Sequence, residues 1–251
     1  MATLKKLISL TVFLLTFVEL NYAQIIYMQQ RHVSSEEREV FERNEMTYWS
    51  KVAEQAIQDG KMSGWYFMRV LDYSAVQNDP TQPTHIFINV FDSIDELTNN
   101  DAWMNVSEVL GFDPGLLQSH STLLNVQYYR FEDFIPGPSF KYTILNWAKP
   151  VNSSAFLEEN SSLWKPFFEK NMEKNGMVGW GIASKIYPQG MDHSSFMTWD
   201  HFDSLSDAMK WAAGEVLMDG GESVMEQTKM AEIMPDGFRY RVIFELLDYR
   251  Y

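Results

Sequence analysis

Two hydrophobic periodicities interleave along the chain. Residues 25–32, 64–73, 84–91 and 125–134 read as strands; the clearest is 84–91, where Ile86, Ile88 and Val90 alternate with His85, Phe87 and Asn89. Between the first two, Phe41, Tyr48, Trp49, Val52 and Ala56 recur at helical spacing and predict one core-facing stripe. Ser34 and Glu37 have the spacing of a capping box ahead of that helix, and Gly60 stops it. A second helix is predicted from a cap at Asp92 or Ser93 through Leu97, Trp103, Val106 and Leu110. The order then begins again, with strands over 140–147, 179–187, 195–202 and 238–247. Helices are predicted up to about residue 175 and over 206–217 and 222–234. Pro166 falls inside the first of these and is expected to kink or restart it.

The second round matches the first residue by residue. At an offset of 115, Tyr27 falls on Tyr142, Phe41 on Phe156, Trp49 on Trp164, Glu54 on Glu169, Met62 on Met177, and Gly64-Trp65 on Gly179-Trp180. Phe91-Asp92-Ser93 then matches Phe202-Asp203-Ser204 at an offset of 111. The slack falls in the Pro- and Asp-containing stretch after Tyr73, where a loop absorbs length changes. The expected organisation is a signal peptide over 1–23, one repeat over 24–134, a stiff Ile-Pro-Gly-Pro linker over 135–138 and a second repeat over 139–251.

Each repeat reads β-α-β-β-α-β, the ferredoxin-like order, so the fold class is α+β with antiparallel sheets packed face to face. In this order, in the repeat and in the paired Gly-Trp strand starts, the chain resembles the dimeric α/β-barrel superfamily, as a fused, single-chain version of its dimer. The resemblance implies two half-sheets closed into a barrel. It also implies an activity range that includes small quinone-forming and haem-degrading monooxygenases, with no superfamily-wide catalytic motif to carry over.

The N-terminus changes the picture of where the chain works. Lys5 and Lys6 precede an apolar run over 7–18 and a polar stretch ending at Tyr22-Ala23-Gln24, the layout of a secretory signal cleaved after Ala23. The run is shorter than the roughly twenty apolar residues a membrane span needs. Removing 1–23 removes two lysines and one glutamate and takes the net charge from −14 to −15. So acidic a chain is a poor partner for nucleic acid or anionic lipid. The absence of cysteine excludes disulfides, a thiolate nucleophile and thiolate metal sites. The expected location is the bacterial envelope or the secreted space, with no membrane partner after cleavage.

No P-loop, G-x-G-x-x-G, G-x-S-x-G, H-E-x-x-H or calcium loop occurs, and no motif calls for a cofactor or metal. What remains is a set of polar positions on the predicted strands. Asn89 and Asp200 share a position at the 111 offset; His85 and Phe87 lie on the face of Asn89, and Thr198 and Phe196 on that of Asp200. The opposite face, with Ile86, Ile88, Met197 and Trp199, reads as the helix-packed core, which turns Asn89 and Asp200 toward the space between the sheets. Arg31, matched to Asn146 at the 115 offset, and Arg69 can add to that space or pair with Asp200. Asp200 and His201 are strand neighbours and point to opposite faces. The repeated Trp49, Trp65, Trp164 and Trp180 read as core, whereas Trp103, Trp147, Trp199 and Trp211 are freer to meet a ligand. His32, His120 and His193 read as exposed. The expected function is an exported protein holding a small, partly apolar ligand between two sheets. A cofactor-independent monooxygenase or haem-related enzyme is the second reading, and an interaction or structural module the third.

Overall fold

A computed structural model describes residues 24–99, 101–137, 139–215 and 221–251; the expected signal peptide lies outside the described residues. The strands are β1 (Ile25–His32), β2 (Gly64–Val70), β3 (His85–Phe91), β4 (Thr122–Ile135), β5 (Tyr142–Ala148), β6 (Met177–Tyr187), β7 (Phe196–Phe202) and β8 (Tyr240–Arg250). Helices α1 (Arg38–Asn44) and α2 (Ser50–Gln58) follow β1, the short α3 (Tyr73–Val76) follows β2, and α4 (Ile94–Thr98) and α5 (Val106–Leu110) follow β3. Helices α6 (Ser153–Glu159) and α7 (Lys165–Asn175) follow β5, and α8 (Leu205–Ala213), α9 (Gly221–Gln227) and α10 (Met230–Ile233) follow β7.

All eight strands join antiparallel neighbours in the order β1-β3-β2-β8-β5-β7-β6-β4, which closes into a barrel. The pairs β2–β8 and β4–β6 make the closure, so neither half keeps a free sheet edge. Trp65 lies opposite Asn89, and Trp180 opposite Asp200. On the other flank the register differs: Tyr27 faces Asn89, but Ile144 faces Asp200. The spatial counterpart of Gln29 is therefore Asn146, and Arg31 has Ala148, two residues away from the match made along the sequence.

Three apolar clusters fill the molecule. The barrel interior holds Met28, Met68, Ile86, Leu145, Met197, Trp199 and Phe244. The layer between α1, α2 and their strands holds Phe41, Ala53, Trp65, Phe67 and Phe87, and the corresponding layer of the second half holds Phe156, Phe168, Trp180 and Phe202. Ile86, Ile88, Met197 and Trp199 thus face the barrel interior, while His85, Asn89 and Asp200 face the helices, the reverse of the expected orientation. Period-two alternation separates two faces without naming them when both are buried. The middle of the enclosed interior takes the more apolar face, and the polar side chains on that face, among them His201, Gln127 and Lys185, sit toward the two mouths. Packing is close enough that a Cβ at Gly181 would come within 2.0 Å of the Trp199 ring.

Local expectations fare unevenly. Ser34 and Glu37 form a backbone turn, with the Glu37 N–H donating to the Ser34 carbonyl at 3.2 Å, and α1 starts without a side-chain cap. The box pattern appears instead at α4, where Ser93 Oγ accepts from the Glu96 N–H and Glu96 Oε2 from the Asp92 N–H. The predicted helix through Leu97 and Leu110 breaks into α4 and α5. Pro166 sits in the first turn of α7, directly after a π-helical turn over Asn160–Trp164. The same turn over Glu45–Trp49 joins α1 to α2 without any proline, so the proline is not its cause. His32 is buried, its Nδ1 2.9 Å from the Gln82 carbonyl oxygen, rather than exposed.

Candidate functional site

The π-helical turn that joins α1 to α2 carries Glu45 at its first position and Trp49 at its last. A π turn widens the helix and re-aims the side chains it carries, a distortion often found at functional sites. Here Glu45 and Trp49 help to line a cavity of about 390 Å³ between the helices and the sheet of the first half. Trp65, Phe87 and Trp103 supply its aromatic walls, and Gln29, Arg31, Asn89, Ser119 and Ser121 its polar ones. The Trp49 and Trp103 rings lie 6.3 Å apart at 56°.

The polar groups are held unevenly. Arg31 is fixed: its Nε donates to Gln29 Oε1 at 2.8 Å and one terminal nitrogen to Ser121 Oγ at 2.9 Å. Asn89 is 3% exposed, and its Oδ1 has no partner; Ser119 Oγ is likewise buried and unpaired. Buried polar atoms rarely go unsatisfied, and two of the three such side-chain atoms among the described residues, the third being Asn171 Oδ1, lie on this cavity wall. Burial pushes the Glu45 carboxyl up to about 8, against the opposing pull of the Arg31 charge.

The residues expected to converge between the sheets are divided among three places. Only Arg31 and Asn89 reach this cavity. His85 and Arg69 belong to an ion-pair cluster beside it: Glu42 binds Arg69 at 2.9 Å and His85 Nε2 at 3.1 Å, and Arg69 also binds Glu245 of β8 at 2.6 Å. Arg69 therefore pairs with Glu42 and Glu245, and not with Asp200. Burial lowers the pKa of His85, opposed by its Glu42 partner.

Asp200, Asn146 and Thr198 meet in the second half. Asn146 Nδ2 donates to Asp200 Oδ2 at 2.9 Å and to Thr198 Oγ1 at 3.1 Å, and Trp211 Nε1 donates to the same Asp200 oxygen at 3.3 Å. Arg241 Nε closes the network on Asn146 Oδ1 at 2.8 Å. Burial raises the Asp200 pKa, offset by Asn146, Arg241 and Trp211. Phe168 packs on Trp180 and Trp211 at 5.5 and 5.8 Å, so aromatic rings surround this carboxylate.

Between the sheets lies a smaller cavity, about 290 Å³ at one mouth of the barrel, walled chiefly by apolar residues such as Ile88, Leu145 and Trp199. Its imidazole, His201, stacks on Phe140 at 3.7 Å with Nδ1 3.0 Å from Thr143 Oγ1. Burial lowers its pKa to about 3, which makes it a poor proton acceptor. Asp200 and His201 do point to opposite faces.

Sequence reasoning missed Glu45 and Ser119, and set Trp49 and Trp65 aside as core; Gln29, which shares a strand face with Arg31, was legible as a polar neighbour of it. Trp65 is core and cavity wall at once. A glutamate on an otherwise apolar helix stripe, three residues before Tyr48, was the available signal for Glu45.

No protein-family model matches the chain, and no protein of curated function matches it by sequence. Solved structures do. A provisionally assigned monooxygenase from Lactobacillus acidophilus is 12% identical with a TM-score of 0.53, over 90% of this chain and 95% of that one. An anthrone oxidase-like protein is 8% identical with a TM-score of 0.51, over 92% and 94%. A provisionally assigned chlorite dismutase is 8% identical with a TM-score of 0.50, over 90% and 95%. These neighbours belong to the dimeric α/β-barrel superfamily, and the present chain has the same α+β fold around a closed antiparallel barrel. At such identities the likeness establishes the fold alone.

Proposed function

We propose that the chain is a small-molecule enzyme of the cofactor-independent oxygenase type, working in the helix–sheet cavity of its first half. The observation that carries the reading is the convergence of Glu45, Arg31 and the two orphaned polar groups, Asn89 and Ser119, on one aromatic-walled space. The volume falls within the range of small-ligand sites. In this reading the tryptophan walls hold a planar, electron-rich phenol or anthrone-like substrate. Glu45, as carboxylate, takes the proton of its activated C–H or O–H. Arg31 and Asn89 stabilise the oxyanion that results. Dioxygen is the oxidant: the substrate CH₂ becomes a carbonyl, and the second oxygen atom leaves as water. Deprotonating the substrate first raises its electron density, which is what allows it to reduce dioxygen without a metal or flavin.

The haem reading has less support. Axial haem ligands are His, Cys, Met or Tyr, and none of these lines the helix–sheet cavity, although His201, Met197 and Tyr249 line the barrel-mouth cavity. No step through haem is assigned.

Oxygen uptake by the purified mature chain with anthrone or a hydroquinone tests the proposal. Uptake that collapses in Glu45→Gln supports it. Saturable binding of the same compounds with no uptake would make the cavity a ligand carrier's site instead.

Two further readings accompany this one. The barrel is a fused tandem pair of ferredoxin-like units, residues 24–134 and 139–251, supported by the repeated element order and the matching π turns. The chain is exported after cleavage behind Ala23, supported by the Lys5-Lys6 and apolar-run layout. The mass of the N-terminal peptide from a native culture checks the cleavage.

A further inference from the structure

The barrel mouth opposite His201 has the opposite chemistry. It opens as a depression of about 540 Å³ whose lining includes Trp147, Lys185, Ser194, Arg239 and Tyr240. Lys185 is 7% exposed, and its Nζ donates to Ser194 Oγ at 2.8 Å and lies 5.3 Å from the centre of the Tyr129 ring. Trp147 Nε1 donates to Tyr129 Oη at 3.0 Å, and Tyr129 donates to Gln127, which closes the floor. Arg239 donates to the Asp192 backbone oxygen at 2.9 Å. Lys149 stands at the edge, donating to the Gly190 and Met191 carbonyls.

None of these three cations forms an ion pair with a carboxylate among the described residues. The chain carries 34 acidic residues against 20 basic ones, so acidic partners were not scarce. A buried ammonium left with a hydroxyl and a ring for company is costly unless a counter-charge arrives. Burial and the nearby Lys149 lower the Lys185 pKa to about 8, as expected for a cation without a counter-ion. Asp192 is the acidic residue of the lining, and it is exposed at the rim. Beside the cations, Trp147 and Tyr240 offer an apolar wall, their rings 5.4 Å apart.

We propose that this mouth is a second ligand site, for a small organic acid whose carboxylate is held by Lys185 and Arg239 and whose apolar body lies on Trp147 and Tyr240. Charge and aromatic surface side by side select an organic anion over a bare inorganic one. The site is separate from the Glu45 cavity and does not depend on the oxygenase reading.

Calorimetric titration of the mature chain with benzoate, and with inorganic phosphate as comparator, tests it. Saturable benzoate binding should weaken about tenfold or more in Lys185→Met, which keeps the length and removes the charge, and in Arg239→Gln at the exposed rim. Glu45→Gln should leave benzoate binding unchanged, which separates this site from the first cavity. Thermal melts confirm that each variant is folded, and Arg239→Gln decides the matter should Lys185→Met fail to fold. No saturable binding, equal affinity in Arg239→Gln and wild type, loss of binding in Glu45→Gln, or tighter binding of phosphate than of benzoate would each overturn the proposal.

Discussion

Glu45 and Asn160 open the same π-helical turn in the two halves, and their surroundings have diverged. In the first half the turn looks onto a cavity walled by Trp49, Trp65 and Trp103, with the Asn89 side-chain oxygen left unpaired on the same wall. In the second half Asn160 donates to the Phe156 carbonyl, and Phe168, matched along the sequence to Ala53, brings a ring against Trp180. The strand position of Asn89 becomes Asp200, whose carboxylate is hydrogen-bonded by Asn146 and Trp211. A satisfied network rigidifies, whereas an unsatisfied one keeps capacity for a ligand. On the proposed function, the first half would hold the chemistry and the second would serve as scaffold, although Asn171 Oδ1 of the second half is also buried without a partner.

The largest test of this contrast is catalytic. Glu45→Gln should lower turnover by about 10²- to 10⁴-fold, the usual worth of a general base, and Asn160→Ala should leave it within about twofold. In the wild type, kcat/KM should climb with pH until about 8, where the carboxyl is ionised, and then level off. Equal losses in the two variants would remove the asymmetry.

Exchanging the filler comes next. Phe168→Ala should cost about 3–5 kcal/mol in urea unfolding, since a buried ring leaves a cavity behind. Ala53→Phe should cost about 1–3 kcal/mol through overpacking and abolish ligand binding to the first cavity. Ligand affinity that survives Ala53→Phe would mean the cavity is not the site.

A third effect lies in pH. Burial holds the Glu45 proton up to about pH 8, whereas the unfolded chain releases it near 4.5. Between these values the folded state binds more protons, so this residue makes stability fall as pH rises from 4.5 to 8. Urea midpoints at the two ends should differ less in Glu45→Gln than in the wild type.

The smallest contrast pairs the two amides. Asn146→Leu should destabilise by about 1–3 kcal/mol, because it strips donors from the buried Asp200. Asn89→Leu should leave stability unchanged or raise it by about 1 kcal/mol, while weakening ligand binding. A large destabilisation by Asn89→Leu would show that its amide has a structural partner.

Much of the fold was legible in the pattern. Strand positions followed from alternation, and the paired Gly-Trp motifs led to strands in which Trp65 and Trp180 face equivalent neighbours. Of the candidate site, Arg31 and Asn89 were legible as polar residues on a predicted strand face. Glu45 was not, because a helical stripe read at 3.6 residues per turn has no place for a π turn. Asn146 was matched to the wrong partner because a two-residue register difference between β1–β3 and β5–β7 leaves no insertion in the chain.

The sequence by itself determined which residues alternate, which segments match at offsets of 115 and 111, and that charge and cysteine chemistry weigh against whole classes of function. These follow from local periodicity and composition, which need no third dimension. Only the tertiary structure decided which face of each strand enters the barrel, since that depends on closure through β2–β8 and β4–β6, contacts far apart in the chain. The same closure turned Asn89 away from the sheets' shared interior and onto a π turn that a one-dimensional reading does not contain.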